Sequence, residues 1–387
     1  MSCGDEMDRE ENRKQRAKKR RRSRIIKTIF WVTILGLTAW FLFFGSKVSL
    51  FAEIKSFFSE LFKPSTGVEA TLNGTTVEDV RLLDSDVLVL SDTGAMVINR
   101  NGTEALSVQH GCTDPATVSC GERFMVFDRN GTRWELYGNQ GLIREGTAEY
   151  PIIDAAVSSN GSFVLVTSSK SYHNEVHYCD RDGEKKYVWY SADNYIYKAG
   201  IKENGKEFAL LGMNSEGGTP SSVAFIFEPS SKKEPVKVPL GGNIFYYVSY
   251  KGSNISLIGQ TQTLTLDDDG DTKNIFDYGG MALEGYANTS DRTYLVLNKY
   301  GVGREYKLAA VNASGKGVAD AELEADVRCI TAGRSGVTVL GSHEVYLYSS
   351  GLDLKHEAET ISDASYACTS GDSIFVFGVG SIIRTEY

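Results

Sequence analysis

Thr76–Val108 reads TVEDVRLLDSDVLVLSDTGAMVINRNGTEALSV, four short apolar runs punctuated by turn residues. Thr76–Leu83 predicts an inner strand, Val87–Ser91 a second, Ala95–Asn99 a third and Thr103–Val108 an outer one. Asp92-Thr-Gly94 and Arg100-Asn-Gly102 join them, because Asn-Gly and Asp-Gly pairs supply the positive φ that tight hairpins need. The second run, Asp86–Leu90, returns seven more times, at Arg123–Phe127, Ser162–Val166, Glu207–Leu211, Asn254–Ile258, Arg292–Leu297, Gly336–Leu340 and Ser373–Phe377. Anchored on Val87, Phe124, Phe163, Phe208, Ile255, Tyr294, Val337 and Ile374, the steps are 37, 39, 45, 47, 39, 43 and 37 residues. Strand-only units near 40 residues are the period of propeller blades, not of a helical solenoid. The expected fold is therefore all-β, an eight-bladed β-propeller, with a seven-bladed ring as the alternative.

Further third strands are expected at Arg133–Gly138, Glu175–Cys179, Val223–Phe227, Thr263–Asp267, Tyr306–Val311, Glu344–Tyr348 and Ile382–Tyr387. The last blade then lacks a fourth strand, while Gly67–Leu72 is a spare one ahead of the first blade. Pairing Gly67–Leu72 beside Ile382–Tyr387 closes the ring and covers an open sheet edge.

Outward from the repeats, the chain of 387 residues changes character at its start. Residues 1–24 are basic, with a dense run from Arg13 to Arg24. Residues 25–45 read IIKTIFWVTILGLTAWFLFFG with Lys27 as the one charge, enough for the ~30 Å of a bilayer core. A cleaved signal peptide has a shorter apolar core and a small-x-small site, whereas Phe44-Gly-Ser46 puts a bulky Phe there. The expectation is a basic cytoplasmic tail (1–24), a transmembrane signal anchor that contacts lipid (25–46) and an amphipathic juxtamembrane segment with linker (47–66). The propeller would occupy 67–387. Beside a membrane span the basic run holds the N-terminus in the cytoplasm and places the propeller outside; it is not read as a nucleic-acid patch. After residue 27 the chain carries 30 basic and 45 acidic residues, a soluble acidic body that names no partner.

Chemical motifs are sparse. No GxSxG elbow, HExxH or P-loop occurs. His173 and His177 are four apart in a loop-to-strand stretch, where that spacing has none of its helical meaning for zinc. Asp267-Asp-Asp-Gly-Asp271 reads as an acidic turn and Asp128–Trp134 as a hairpin turn followed by a packed Trp. Five cysteines follow the apolar segment, an odd number; Cys112 and Cys120 could pair across a short loop, but buried free thiols are the expectation. No cofactor, metal or catalytic residue is expected.

Two second-to-third connections exceed the minimum, Ser168–Asn174 and Met213–Ser222. Loops on a rigid scaffold are where recognition usually sits, so Ser168, Lys170, Tyr172, His173, Asn174, Asn214, Glu216 and Thr219 are the candidate contact residues.

The strand-turn rhythm of residues 68–387, with turns such as Asp92-Thr-Gly94, resembles the eight-bladed propellers similar to quinoprotein alcohol dehydrogenases, including the lipoprotein propellers of bacterial outer-membrane assembly. That family ends each blade motif in a docking Trp; here Trp134 and Trp189 alone lie outside the apolar segment, so quinone chemistry is not carried over. The layout of basic tail, single anchor and acidic propeller also resembles a family of membrane-anchored propeller proteins of clostridia-like Gram-positive bacteria, which has no assigned activity. The resulting expectation leans away from an enzyme, toward an extracytoplasmic interaction module for a protein or cell-wall polymer. The alternative is an extracytoplasmic propeller enzyme, a glycan lyase or hydrolase or a cofactor-dependent oxidoreductase. Clustered acids, Tyr or Arg at the channel mouth would favour the enzyme, exposed aromatics on an outer face the binder.

Overall fold

The structure is a computed structural model that describes residues 70–71 and 75–387, apart from positions 217, 232 and 302. The expected tail, anchor and juxtamembrane segment lie outside the described residues. Among the described residues no helix is long and apolar enough to cross a membrane.

Eight four-stranded antiparallel sheets are formed by the described residues, and the eightfold expectation holds over the seven-bladed one. Blade 1 comprises Val77–Leu83, Asp86–Ser91, Gly94–Ile98 and Glu104–Gln109. Blade 2 comprises Pro115–Cys120, Arg123–Asp128, Arg133–Gly138 and Gly141–Thr147, and blade 3 Ile152–Val157, Phe163–Ser168, Asn174–Cys179 and Lys185–Ser191. Blade 4 comprises Tyr195–Ile201, Phe208–Glu216, Thr219–Phe227 and Val236–Gly241, and blade 5 Phe245–Lys251, Asn254–Gly259, Gln262–Leu266 and Thr272–Asp277. Blade 6 comprises Ala282–Asn288, Arg292–Asn298, Glu305–Asn312 and Gly317–Glu324. Blade 7 comprises Cys329–Gly333, Gly336–Leu340, Glu344–Tyr348 and Leu354–Glu359. In blade 8, Tyr366–Ser370, Ser373–Gly378 and Ser381–Glu386 are completed by Ala70–Thr71, paired Ala70↔Ile382 and Thr71↔Ser381. The spare strand thus closes the ring, by two described residues where six were expected.

The repeated runs all fall on second strands, and packing explains why they are continuously apolar. Eight apolar clusters each join one blade to the next, so a second strand is covered on both faces. Phe208 and Leu210 lie in the blade 3–blade 4 interface, while Ala209 and Leu211 lie in the next one, and all four are buried. Burying such a Leu or Phe contributes about 1.5–3 kcal/mol. Outer strands instead alternate half-buried with exposed residues, as in Glu104–Gln109.

The Asn-Gly, Asp-Gly and Ser-Gly turns work as read, with Gly102, Gly183, Gly270 and Gly315 at positive φ, whereas Gly94 in the Asp92-Thr-Gly94 turn does not adopt it. In the Asp267–Asp271 turn Gly270 has φ +87°, and Asp267 Oδ1 accepts the Asp271 N–H at 2.8 Å. The Asp128 turn is likewise structural: its Oδ1 accepts the Thr113 and Asp114 N–H groups, both at 2.8 Å, and Trp134 packs on Phe163 with ring centres 4.8 Å apart. Cys112, Cys120, Cys179, Cys329 and Cys368 are all free thiols, so Cys112 and Cys120 are unpaired.

Candidate functional site

The ring has two chemically different ends. At the crossover end, outer strands pass to the next blade and second strands turn into third strands. At the far end lie the inner-to-second and third-to-outer turns. The far-end turns contain no Tyr, Phe or Trp and are built from residues such as Arg100-Asn-Gly102, Asp180–Glu184 and Lys202–Glu207. Exposed aromatics gather mainly at the crossover end, where Tyr172, Tyr190, Tyr195, Tyr246 and Tyr300 are 45, 48, 49, 44 and 69% exposed; at the far end Tyr387 is 39% exposed, its hydroxyl donating to Gly371 O (3.0 Å). Tyr172 from a second-to-third turn and Tyr190 from the adjoining outer strand pack with ring centres 4.9 Å apart and planes tilted by 37°. Ala70–Thr71 lies antiparallel to Ser381–Glu386 and runs from the far end toward the crossover end.

The predicted contact residues separate on this frame. Lys170, Tyr172 and His173 are exposed in the blade 3 turn, and Ser168 is half-buried at its start. Asn174 is not a surface residue: it is fully buried, its Oδ1 accepts the Ile196 N–H of blade 4 (2.7 Å) and its Nδ2 donates to Thr167 O (3.2 Å). It staples two blades. Met213–Ser222 is not a loop either, since the ladder runs on through Asn214↔Ser221 and Ser215↔Pro220 to Glu216↔Thr219, making a tall hairpin. Backbone pairing beyond the usual strand length gave no signal in a Ser- and Gly-rich stretch. Thr219 is exposed near the hairpin tip, and the Glu216 side chain lies outside the described residues.

That hairpin forms one wall of a groove of about 490 Å³ lined by Tyr195, Tyr197, Met213, Asn214, Ser215 and Pro220. The Tyr197 hydroxyl is fixed on Phe245 O (2.7 Å), and Asn214 Nδ2 donates to Asn194 Oδ1 (3.1 Å). Asn214 Oδ1 is buried without a partner among the described residues, which leaves an acceptor in an otherwise apolar wall. Asn214 was legible as a candidate. The tyrosines that complete the groove were missed because they sit on strands of ordinary composition.

A second group lines the axis. Inner strands of blades 1, 3, 4 and 5 each carry a register shift, just before Asp79, Asp154, Lys198 and Tyr247. These four residues pair with Leu90, Val166, Leu211 and Ile258, so they occupy one tier of the ring. Arg81, Ser249 and Tyr286 pair with Leu88, Ser256 and Leu295, which sets them on a second tier two residues deeper. Asp79 Oδ2 accepts both Arg81 Nε (2.7 Å) and the Thr117 hydroxyl (3.1 Å). Lys198 Nζ donates to Asp154 Oδ1 at 2.7 Å, and the Ala199 N–H to Oδ2 at 2.8 Å. Burial outweighs Lys198 and holds the Asp154 carboxyl above its ordinary range. Burial opposes the charge on Arg81, but Asp79, Tyr247 and Tyr286 more than offset it, so its pKa is raised. Burial, with the neighbouring Tyr247, pushes the Tyr286 phenol up to about 12. Among the described residues no cluster of three or more His, Cys, Asp or Glu could hold a metal.

Fold and site together define an eight-bladed β-propeller with an aromatic crossover end and a charge-paired axis. The chain belongs to the Family of unknown function (DUF5711), which it matches over residues 65–377. No curated protein matches it by sequence. Among solved structures it is similar to the C-terminal WD40 domain of Sif2, at 10% identity over 83% of this chain and 99% of that one, with a TM-score of 0.58. It is also similar to BamB from Moraxella catarrhalis, at 10% identity over 83% of this chain and 98% of that one, TM-score 0.51. The Cps50 (Swd1) propeller domain of Myceliophteria thermophila is 13% identical over 70% of this chain and 96% of that one, TM-score 0.51. At such identities the likeness establishes the fold alone.

Proposed function

We propose that the chain is a single-pass, membrane-anchored propeller displayed outside the cell, acting as an interaction module that binds a protein or cell-wall polymer through its crossover end. The observation that carries this reading is the concentration of exposed tyrosine at that end, where five such residues stand against Tyr387 at the other. Tyr172, Tyr190, Tyr195 and Tyr246 lie on blades 3 to 5 at one end, beside an apolar groove, while the opposite turns are polar. Tyr is favoured at recognition surfaces because it offers a large rigid contact area and a polar tip. The WD40 domain of Sif2 and BamB share the architecture, which is consistent with a binding scaffold.

The enzyme reading draws on the Asp, Arg and Tyr groups at the axis. Both axial carboxylates, however, are engaged by cations, Asp79 by Arg81 and Asp154 by Lys198, so neither is an unpaired general base. Binding is therefore the better reading of this geometry.

The test is crosslinking and recovery of the full-length chain from its native membrane, wild type against the Tyr172→Ala/Tyr195→Ala double variant. The expected outcome is a reproducible partner with the wild type, reduced at least tenfold in the variant at unchanged thermal stability. Recovery of no partner, or equal recovery by both proteins, refutes the proposal.

A further inference from the structure

We infer that the axial channel is a binding site for a small carboxylate, with the Arg81 guanidinium as its anchor. This site is separate from the tyrosine end, and the inference does not rest on the interaction reading. Arg81 is hemmed in by side chains from several blades, yet 38% of its side-chain surface remains accessible. Such a combination places it on an open channel, not in a sealed core. Its Nε is used twice, on Asp79 Oδ2 (2.7 Å) and Thr117 Oγ1 (3.1 Å), which fixes the plane of the guanidinium. Its two terminal nitrogens make no hydrogen bond among the described residues. A planar fork with its root clamped and its outer edge open matches the two oxygens of a carboxylate.

The surroundings supply further donors. Tyr247 and Tyr286 pack together with ring centres 5.2 Å apart and planes tilted by 44°, and both act on Arg81 electrostatically. Neither phenol has a hydrogen-bond partner among the described residues. Because the Tyr286 phenol is raised to about 12, it stays protonated and able to donate across the physiological range. Ser249, on the Arg81 tier, has a buried hydroxyl without a partner among the described residues. Buried polar groups are normally satisfied, so the unpaired Ser249 hydroxyl, on the same tier as Arg81 and its two neighbouring phenols, points to a ligand with acceptor oxygens.

Charge selects the class of ligand. Asp79 and Asp154 balance Arg81 and Lys198, so the cluster has no net positive charge to offer. A dianionic or polyanionic phosphate would meet two carboxylates around the same axis. A monoanionic carboxylate needs one cationic fork and neutral donors, which is what Arg81, Tyr247, Tyr286 and Ser249 provide.

The test is ligand-observed NMR titration of the full-length chain at constant ionic strength. N-acetylglycine is the probe, N-acetylglycinamide its uncharged control and inorganic phosphate the competitor. The Arg81→Lys variant keeps a cation beside Asp79 but removes the fork, and Tyr286→Phe removes one donor. We expect saturable binding of N-acetylglycine and none of the amide. The dissociation constant should rise about tenfold or more in Arg81→Lys and about threefold or more in Tyr286→Phe, as expected for lost charge-assisted hydrogen bonds. Near-UV circular dichroism identical to wild type shows that the variants are folded. The inference is overturned if the amide binds as well as the acid, if phosphate displaces N-acetylglycine at lower concentration than N-acetylglycine itself, or if folded Arg81→Lys binds with wild-type affinity.

Discussion

Lys251 gives the most demanding test of how adjacent blades are held together. It ends the inner strand of blade 5 and is 3% exposed. Its ammonium reaches across to blade 6, donating to Asn288 Oδ1 and Arg292 O (both 3.0 Å) and to Thr289 O. Burial lowers its pKa from 10.5 to about 7, against the opposing pull of Asp291. Between those two values the unfolded chain holds a proton that the folded protein releases. Unfolding free energy therefore rises with pH across this window, and is flat with respect to this group below it. At about 1.4 kcal/mol per pH unit, the full rise from pH 7 to pH 10.5 is on the order of 5 kcal/mol. Three oxygen acceptors favour the ammonium, which makes that figure an upper bound; a rise of about 1.5 kcal/mol is enough for the test. Lys251→Met keeps much of the side-chain volume and abolishes the titration. The assay is urea unfolding of wild type and variant at pH 6.5, 8 and 9.5, read as the difference between them. Other titrating groups cancel in that difference, which should grow in favour of wild type as pH rises. Parallel pH dependence of the two proteins would refute the account of Lys251 as a desolvated inter-blade group.

Two further perturbations address closure and stapling. Deleting residues 67–72 removes the strand paired at Ala70↔Ile382 and Thr71↔Ser381, and should cost about 2 kcal/mol, a melting temperature lower by several degrees; an unchanged melting temperature refutes closure by this strand. Asn174→Ala leaves the buried Ile196 N–H unpaired and should cost about 2–3 kcal/mol in denaturant unfolding, whereas wild-type stability with weakened partner recovery would make Asn174 a contact residue after all.

Much of this architecture is readable because each second strand is enclosed by two neighbouring blades. That double burial forces the uninterrupted apolar runs from Val87 to Ile374, and the positive-φ demand of hairpins forces the Gly-containing turns between strands. Local sequence thus set the number of blades, the strand order within them and the need for a closing strand. The placement of the candidate contact residues was only partly legible. Lys170, Tyr172 and His173 stand in a real turn, but Asn174 turned inward once the Ile196 N–H of the next blade needed an acceptor. The hairpin from Met213 to Ser222 continues its ladder to Glu216↔Thr219, which its polar composition did not announce.

The chain by itself determined that eight units of this period must close on themselves, since each apolar face can be buried only by a neighbour. Tertiary structure alone decided what meets at the centre and at the ends. Asp79, Arg81, Asp154, Lys198, Tyr247 and Tyr286 are scattered over more than 200 positions, and none stands out in its own strand. Inner-strand register shifts and ring closure bring them to one axis, where desolvation and neighbouring charge raise the pKa values of Arg81, Asp154 and Tyr286 above those of isolated residues.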